Sequence, residues 1–322
     1  MPNLQLLHPI LTDLQAWLTD QIVWRRYDFI REPQGFADAD RAYCADELIR
    51  PLKPEDDLRF VYEDEHGAVY IFAERLAWDS DFFGYQVARL NAVLPSTVLP
   101  CPPQINFTDA LLALLTEVSK RGIRYLFAPV FPEDLALIHA LSRTGFNLIE
   151  TRLLYHMPLA NYTHSERYPV RFARENDLLL LQQTAREAVN AYDRFHADPF
   201  IQPEQADRMM EEWVTASLHR GFADATLIPD IAQPAAFNTI RYNRERWDGW
   251  GYKVAQTVLT AVSPACRGWH KKLISETNYH LRSLGVDHAI LPTQITNRAV
   301  LHNLEQLGYR YGRSEYIFRI LL

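Results

Sequence analysis

Leu259-Thr-Ala-Val-Ser-Pro-Ala-Cys-Arg-Gly-Trp-His-Lys-Lys-Leu273 is the stretch on which the reading of the fold turns. Its β-branched, apolar start reads as a strand, and Pro264 marks a turn. Leu273, Ile274, Thr277, Leu281 and Leu284 then recur at helical spacing, with one face turned inward. Arg267-Gly268 stands where strand hands over to helix. Such a junction presents several unpaired backbone N–H groups together, which makes it an anion site. His270, Lys271 and Lys272 put positive charge beside it, although a solvated basic turn explains the lysines equally well.

At 322 residues the chain exceeds one ordinary core, so two domains are expected. Hydrophobic residues make up 48% and charged residues 23%, a globular composition rather than a disordered or fibrous one. The net charge of −7 has the wrong sign for a protein that lives on nucleic-acid phosphates, so no nucleic-acid partner is expected. Cys44, Cys101 and Cys266 are scattered without metal spacing, which fits reduced thiols in a cytoplasmic protein and no metal. Met1–Asp13 lacks a basic segment and no apolar run approaches about 18 residues, so neither a signal peptide nor a membrane partner is expected.

Outward from the opening stretch, the pattern alternates between strand and helix. Residues 1–57 read as an N-terminal helical extension, with Leu11, Leu14, Trp17, Leu18 and Ile22 on one face, then Trp24-Arg-Arg-Tyr27 and an acidic run. It either packs on the first domain or serves as a partner-binding or dimerising arm, which leaves a homodimer open. Residues 58–62 and 68–72 form a hairpin, and Phe82-Phe83-Gly84 reads as a packed turn. Helices are expected around 111–118 and 137–141, with strands at 125–128 and 146–157. The polar, proline-bounded residues 158–169 read as a linker. Beyond it come a strand from Val170, a helix to about Asn190 capped by Asp177, and a polar–aromatic connector, Tyr192–Pro199. A helix from Pro203 follows, then strands at 226–231 and 236–242 and a turn at Trp247–Gly251. After the opening stretch the expected order is helix (272–284), strand (288–291), helix (297–307) and strand (315–321).

Two parts of the chain repeat. Gly122 to Gly145 and Gly285 to Gly308 are equally spaced, and Pro129 and Pro292 fall at the same place after the first glycine. Ala136-Leu-Ile-His-Ala-Leu141 matches Ala299-Val-Leu-His-Asn-Leu304, and Gly84-Tyr-Gln-Val-Ala88 echoes Gly251-Tyr-Lys-Val-Ala255. A unit used twice explains this better than chance. The strand–helix–strand–helix–strand order marks α/β units with a mixed sheet, here 58–157 and 170–322 around the 158–169 linker. His139 and His302 recur at one repeat position, which reads as shared packing rather than catalysis.

The junction resembles the cofactor loop of the GNAT superfamily of N-acetyltransferases, Val-x-Pro-x-x-(Arg/Gln)-Gly-x-Gly, through Val262, Pro264, Arg267 and Gly268. His270 and Lys272 stand where that family has Gly and Gly or Ala, and their Cβ atoms would crowd a phosphate. Residues 58–322 resemble a tandem pair of such domains, in particular sugar-nucleotide N-acetyltransferases of the dTDP-fucosamine (4-amino-4,6-dideoxygalactose) type. Leu76–Gly84, the connector Asp193-Arg-Phe-His-Ala-Asp198 with Trp213, and Asn297…Gly308 carry that likeness. The resemblance implies acetyl-CoA or another acyl-CoA as co-substrate, held by Val262, Arg267, Gly268, Trp269, His270, Lys271, Lys272 and Asn297. It also implies a small amine acceptor, with an amino sugar on a nucleotide as the specific candidate, near Asp193, Arg194 and Asp198.

The family's proton-handling residues are less evident. Leu304 stands where a tyrosine serves as general acid, and leucine cannot donate a proton. Tyr309 and Tyr311 are close in sequence but at strand-like positions. The strand Tyr252–Val262 carries no carboxylate, so His196, flanked by Asp193 and Asp198, is the candidate base. A loop organised by an Asp–Arg–Asp network accounts for the same residues, and a helix cap accounts for Asn297. The proline-rich stretch 94–107 of the first repeat has no Arg-Gly, so only the second repeat is expected to take cofactor. The leading function is acyl transfer from acyl-CoA to a primary amine. The rivals are a catalytically silent tandem protein acting as a scaffold and, against the charge, a transferase using aminoacyl-tRNA.

Overall fold

A computed structural model describes residues 3–7, 11–22, 25–31, 33–96 and 106–322. Trp24, Cys101 and most of the proline-rich 94–107 stretch lie outside the described residues. The chain forms two compact units, Met1–Thr151 with Ser314–Leu322, and Arg152–Arg313. The linear division into 58–157 and 170–322 is therefore crossed twice, because the last strand of each repeat lies in the other unit.

The first unit holds β1 (Asn3–Leu6), α1 (Leu11–Gln21), α2 (Phe36–Ile49), β2 (Asp57–Asp64), β3 (Gly67–Arg75), α3 (Ala77–Phe83), β4 (Gln86–Pro95), α4 (Phe107–Lys120), β5 (Ile123–Val130) and α5 (Leu135–Arg143). Strands β1 to β4 pair antiparallel in order, β4 runs parallel to β5, and β5 pairs antiparallel with residues 316–321 of β12 (Arg310–Leu321). Alternation along β3 sends Ile71 into the core under α4 and α5, with Leu111, Leu114, Leu126 and Leu141. Phe72 goes to the opposite face, where α1 and α2 contribute Leu18, Ile22 and Ala45.

The second unit repeats this plan with β7 (Val170–Phe172), α6 (Leu178–Glu187), α7 (Pro203–His219), β8 (Ala225–Pro229), β9 (Ala236–Arg241), α8 (Arg244–Trp250), β10 (Val254–Val262), α9 (Trp269–Ser283), β11 (His288–Gln294) and α10 (Arg298–Gln306). Strands β7 to β10 pair antiparallel, and β10 runs parallel to β11. Residues 152–158 of β6 (Asn147–Pro158) close the sheet against β11. Leu273, Ile274 and Leu281 of α9, Leu304 of α10 and Leu307 just past its end fill the core on one face.

The helical reading of 1–57 holds for α1, and the structure adds β1 and α2. Together they stand in the order of β7, α6 and α7. Two expected turns, at 82–84 and 247–251, are short helices, α3 and α8. Each ends on a glycine in the left-handed region, Gly84 at φ 74° and Gly251 at φ 59°, which is why a glycine punctuates both. Asp177 does not cap α6, which ends at Glu187, short of Asn190. Its carboxylate instead accepts from Arg171 at 2.7 Å through both oxygens and from the Arg174 backbone N–H. His139 and His302 are both exposed, so their recurrence reflects position on the outer helix face and not packing.

Candidate active site

The wedge between β10 and β11 follows from their register. The parallel pairing runs from Val254↔His288 to Gln256↔Ile290, after which β10 continues to Val262 and β11 to Gln294 without facing pairs. On its other side β10 bulges against β9 between Thr257 and Thr260. The Thr239 hydroxyl holds this bulge, accepting from Leu259 N–H at 2.8 Å and donating to Leu259 C=O at 3.1 Å. Beneath it, buried Asn238 accepts from Thr260 at 2.6 Å and donates to Thr277 of α9 at 2.8 Å. A bulge re-aims backbone groups and leaves part of the ladder unpaired, which fits a strand that must offer N–H groups to a ligand.

At the end of β10, Pro264–Cys266 make a 3₁₀ turn and Gly268 starts α9 at φ 91°. A Cβ at Gly268 would meet open space, so the glycine is required by its backbone angle and not by crowding. No side chain caps α9, and no acidic residue stands in its first turn. Its first N–H groups and the positive end of its dipole are therefore not compensated from within the helix, and Glu166 acts near them only through Lys271 and Lys272.

No protein-family model matches the chain, and no curated protein matches it. Solved structures do match. A GCN5-related N-acetyltransferase from Sphaerobacter thermophilus is similar over 88% of this chain and 86% of its own, at TM-score 0.58 and 11% identity. A tandem GNAT protein from the clavulanic acid biosynthesis pathway is similar over 100% of this chain and 98% of its own, at TM-score 0.53 and 13% identity. A GCN5-related glucosamine N-acetyltransferase region in a fungal multi-domain GH3 β-N-acetylglucosaminidase is similar over 99% of this chain and 38% of that one, at TM-score 0.61 and 14% identity. The chain has a tandem GNAT fold. At these identities the likeness is one of fold, and the chemistry rests on the residues.

Within that GNAT fold the loop residues divide by direction. Val262 ends β10 opposite Ala236, and Arg267 is exposed at the turn with no ion pair among the described residues. His270 meets Asn303 of α10 at 3.3 Å, and burial pushes its imidazole down to about 4, so it is neutral at pH 7 and adds no charge. Lys271 donates to Gln306 of α10 at 2.8 Å. Lys272 lies over the rings of Trp269 and Tyr168, 5.0 and 5.4 Å from their centroids. Asn297 caps α10, accepting from Val300 N–H at 3.4 Å. Arg267 thus carries the cationic charge at the turn that no described carboxylate or α10 side chain engages.

Just before the connector, Asn190 donates to Gln294 at the end of β11 at 2.6 Å. His196 is clamped on both sides, Nδ1 to Asp193 at 2.7 Å and Nε2 to Asp207 of α7 at 3.1 Å. Burial alone would lower its pKa, but the two carboxylates outweigh it and the net shift is upward. Asp193 also accepts from the N–H groups of Phe195 and His196, Asp198 accepts from Phe200 N–H, and the Arg194 guanidinium lies 4.3 Å from the Phe195 ring centroid. Asp207 is the partner that sequence reasoning missed, since helix α7 alone gives no signal that it meets the connector.

Leu304 is fully buried in the core with no opening to the wedge side, and Tyr309 is buried with its hydroxyl donating to Asn278 at 2.6 Å. Tyr311 is exposed. The 158–169 segment, which read as a linker, is clasped to α9. Arg167 makes a forked pair with buried Glu276, which also accepts from Tyr168 N–H at 2.7 Å, and Tyr162 donates to Ser275 at 2.7 Å. Among the described residues no cluster of His, Cys, Asp and Glu could hold a metal, and no helix is long and apolar enough to cross a membrane.

Proposed function

We propose that the chain transfers an acyl group from acyl-CoA to a primary amine in its second unit. The observation that carries this reading is the uncapped, acid-free N-terminus of α9 at the end of a strand that parts from its parallel neighbour. The pyrophosphate would rest on the N–H groups of residues 268–271 beside Arg267. The acyl-pantetheine arm would lie along Thr257–Val262, where N–H groups of β10 that β11 no longer pairs would stabilise the oxyanion as the amine attacks. The residues fit: the Gly268 turn is open, and the side chains of His270 and Lys271 are drawn aside to α10. With leucine at 304, the thiolate leaves unprotonated or takes its proton from water, which a thiol pKa near about 8.5 allows.

His196 is the candidate base, and to take the amine proton it must be neutral and release one of its two carboxylate partners, since Asp193 and Asp207 occupy both ring nitrogens. Because Asp193 and Asp207 raise its pKa, turnover should be low below about pH 6.5 and climb as the imidazole loses its proton. A rate flat from pH 6 to 9, or unchanged in His196→Gln, removes His196 from the reaction. An amino sugar is the favoured acceptor, supported by the likeness in fold to a glucosamine N-acetyltransferase region and by the polar connector that starts two residues after Asn190, which is bonded to the end of β11. A silent scaffold is the second reading, and the burial of Leu304 favours it.

The test is titration calorimetry with acetyl-CoA alongside thiol release with an amino-sugar panel. Arg267→Ala should weaken acetyl-CoA by about tenfold to a hundredfold, the scale of a lost charged hydrogen bond. Absence of any binding to the wild type rejects the transferase reading, and binding without turnover leaves the scaffold.

A further inference from the structure

A second cavity of about 810 Å³ opens in the same unit on the outer side of α9. Its wall carries four arginines, Arg167 of the clasped segment, Arg171 of edge strand β7, Arg174 in the turn after it and Arg282 in the last turn of α9. His280 lies about 18 Å along the helix axis from Gly268 at about 1.5 Å per residue, so this is not the cofactor loop.

The charges do not cancel. Arg167 is paired with Glu276 and Arg171 with Asp177. Arg282 has no carboxylate partner among the described residues and gives one long bond, 3.3 Å, to Tyr162 C=O, while Arg174 forms no ion pair among them and feels Asp177, already held by Arg171, only as a nearby charge. Helix-dipole compensation accounts for Arg282 alone. It does not account for Arg174, which projects from beyond the facing strand. The rest of the wall is Glu276, held by Arg167, with Ser283, His280 and the apolar or aromatic Val170, Leu227, Tyr279 and Phe172, the last 49% exposed and edge-on to His280. The volume is that of a small-molecule pocket and well above what a free inorganic ion needs.

We infer that this cavity binds a phosphorylated small molecule. Its dianionic phosphate would sit between Arg174 and Arg282, and its planar or apolar part against Phe172, Val170 and Leu227. The paired arginines, Arg167 and Arg171, hold the wall rigid and are preorganised rather than spent on the ligand.

The experiment uses the full chain with AMP, adenosine and pyrophosphate as probes, followed by calorimetry and by the shift in melting temperature. AMP and pyrophosphate should bind, and adenosine should not. AMP binding should fall at least tenfold in Arg174→Ala/Arg282→Ala and stay unchanged in Arg267→Ala, whereas pyrophosphate, which the start of α9 would also take, should lose part of its binding in each variant. Acetyl-CoA binding should show the reverse pattern, which separates failure here from failure of the transferase reading. Arg174→Lys should restore part of the AMP affinity, which a merely structural role for the charge would not predict. Absence of AMP binding at millimolar concentration overturns the inference, as does loss of AMP binding in Arg267→Ala. Equal retention in the double variant, with circular dichroism showing it folded, overturns it as well.

Discussion

The two units part their parallel strands at the same place and then treat the opening differently. In the first, β4 leaves β5 after Arg89↔Phe127, and in the second β10 leaves β11 after Gln256↔Ile290. Both strands also bulge on the far side, at Asn91 and at Val258–Leu259. In the first unit, however, Asn91 and Arg89 are tied to buried Glu74, with Arg50 completing the knot. Burial works to raise Glu74, but Arg89, Asn91 and Arg50 outweigh it and hold the carboxyl below its usual range. The helix that follows is closed too: Asn106 caps α4, accepting from Asp109 N–H at 3.1 Å, and Asp109 puts a negative charge in the first turn. The corresponding turn of α9 has Gly268 for the cap and Lys271 where α4 has Asp109. The wedge is therefore a property of the fold, whereas whether the helix start beside it is closed or open turns on two positions, Asn106 against Gly268 and Asp109 against Lys271.

The largest effect should come from what the units share. Leu141 and Leu304 occupy the same helix position, each fully buried in its own core. Leu141→Ala and Leu304→Ala should each cost about 2–5 kcal/mol, seen as lost amide-exchange protection in that unit only. Leu304→Tyr, which sequence logic would offer as a restored acid, should instead destabilise. Overpacking costs about 1–3 kcal/mol and the buried hydroxyl finds no partner. Higher thiol release from a folded Leu304→Tyr would show that the position faces the wedge after all and break the equivalence.

Next is the difference itself. Lys271→Asp gives α9 the first-turn acid of α4. Acetyl-CoA affinity should fall at least about tenfold from the reversed charge beside the pyrophosphate. The helix should meanwhile gain a few tenths of a kcal/mol, since an acid suits its N-terminus. Binding lost and stability gained in one variant, read by calorimetry and urea unfolding, is a pair of signs that simple damage cannot produce. An unchanged affinity would place the pyrophosphate elsewhere.

Much of this was legible in the chain because glycine and proline mark backbone requirements. Gly122 and Gly285 sit at φ 80° and 70°, and Gly145 and Gly308 at 90° and 85°, so the repeat was written in residues that few others can replace. Pro129 and Pro292 each stand in the strand after the parallel crossover, opposite Ile317 and Leu154. The early elements were harder: β1 is four residues with no alternation to count, and α2 mixes buried Phe36 and Ala45 with buried Asp40, blurring its face. The exchange of last strands left no local signal, because β6 and β12 have the same pattern wherever they pair. At the site, Arg267-Gly268 was readable from spacing. The diversion of His270 and Lys271 to α10 was not, since Asn303 and Gln306 meet them only in the fold.

The smallest effect lies in the caps of α5 and α10, where the repeats agree in geometry and differ by one atom type. Asp134 and Asn297 adopt nearly the same angles, φ −83° and −82° with ψ 66°, and each accepts from the third N–H of its helix. Asn297→Ala should cost about 1 kcal/mol of stability, and Asp134→Ala a similar amount, if both are caps. A larger fall in acetyl-CoA affinity than in stability for Asn297→Ala would make that residue a cofactor contact as well. Asp134→Asn then sharpens the comparison through its sign. Burial raises the Asp134 pKa, and the bond from Leu137 N–H only partly offsets it. A carboxyl whose folded pKa is raised favours the native state below its unfolded pKa of about 3.8 and loses that advantage as pH rises through the folded value. At pH 7 the charged form is therefore the penalised one, and the neutral amide should stabilise the first unit slightly. As pH falls through the folded pKa, Asp134 becomes neutral and the gain should vanish. Urea midpoints for the two proteins at pH 7 and pH 4 measure this, and a gain that grows on acidification would mean that the helix dipole, not desolvation, governs the cap.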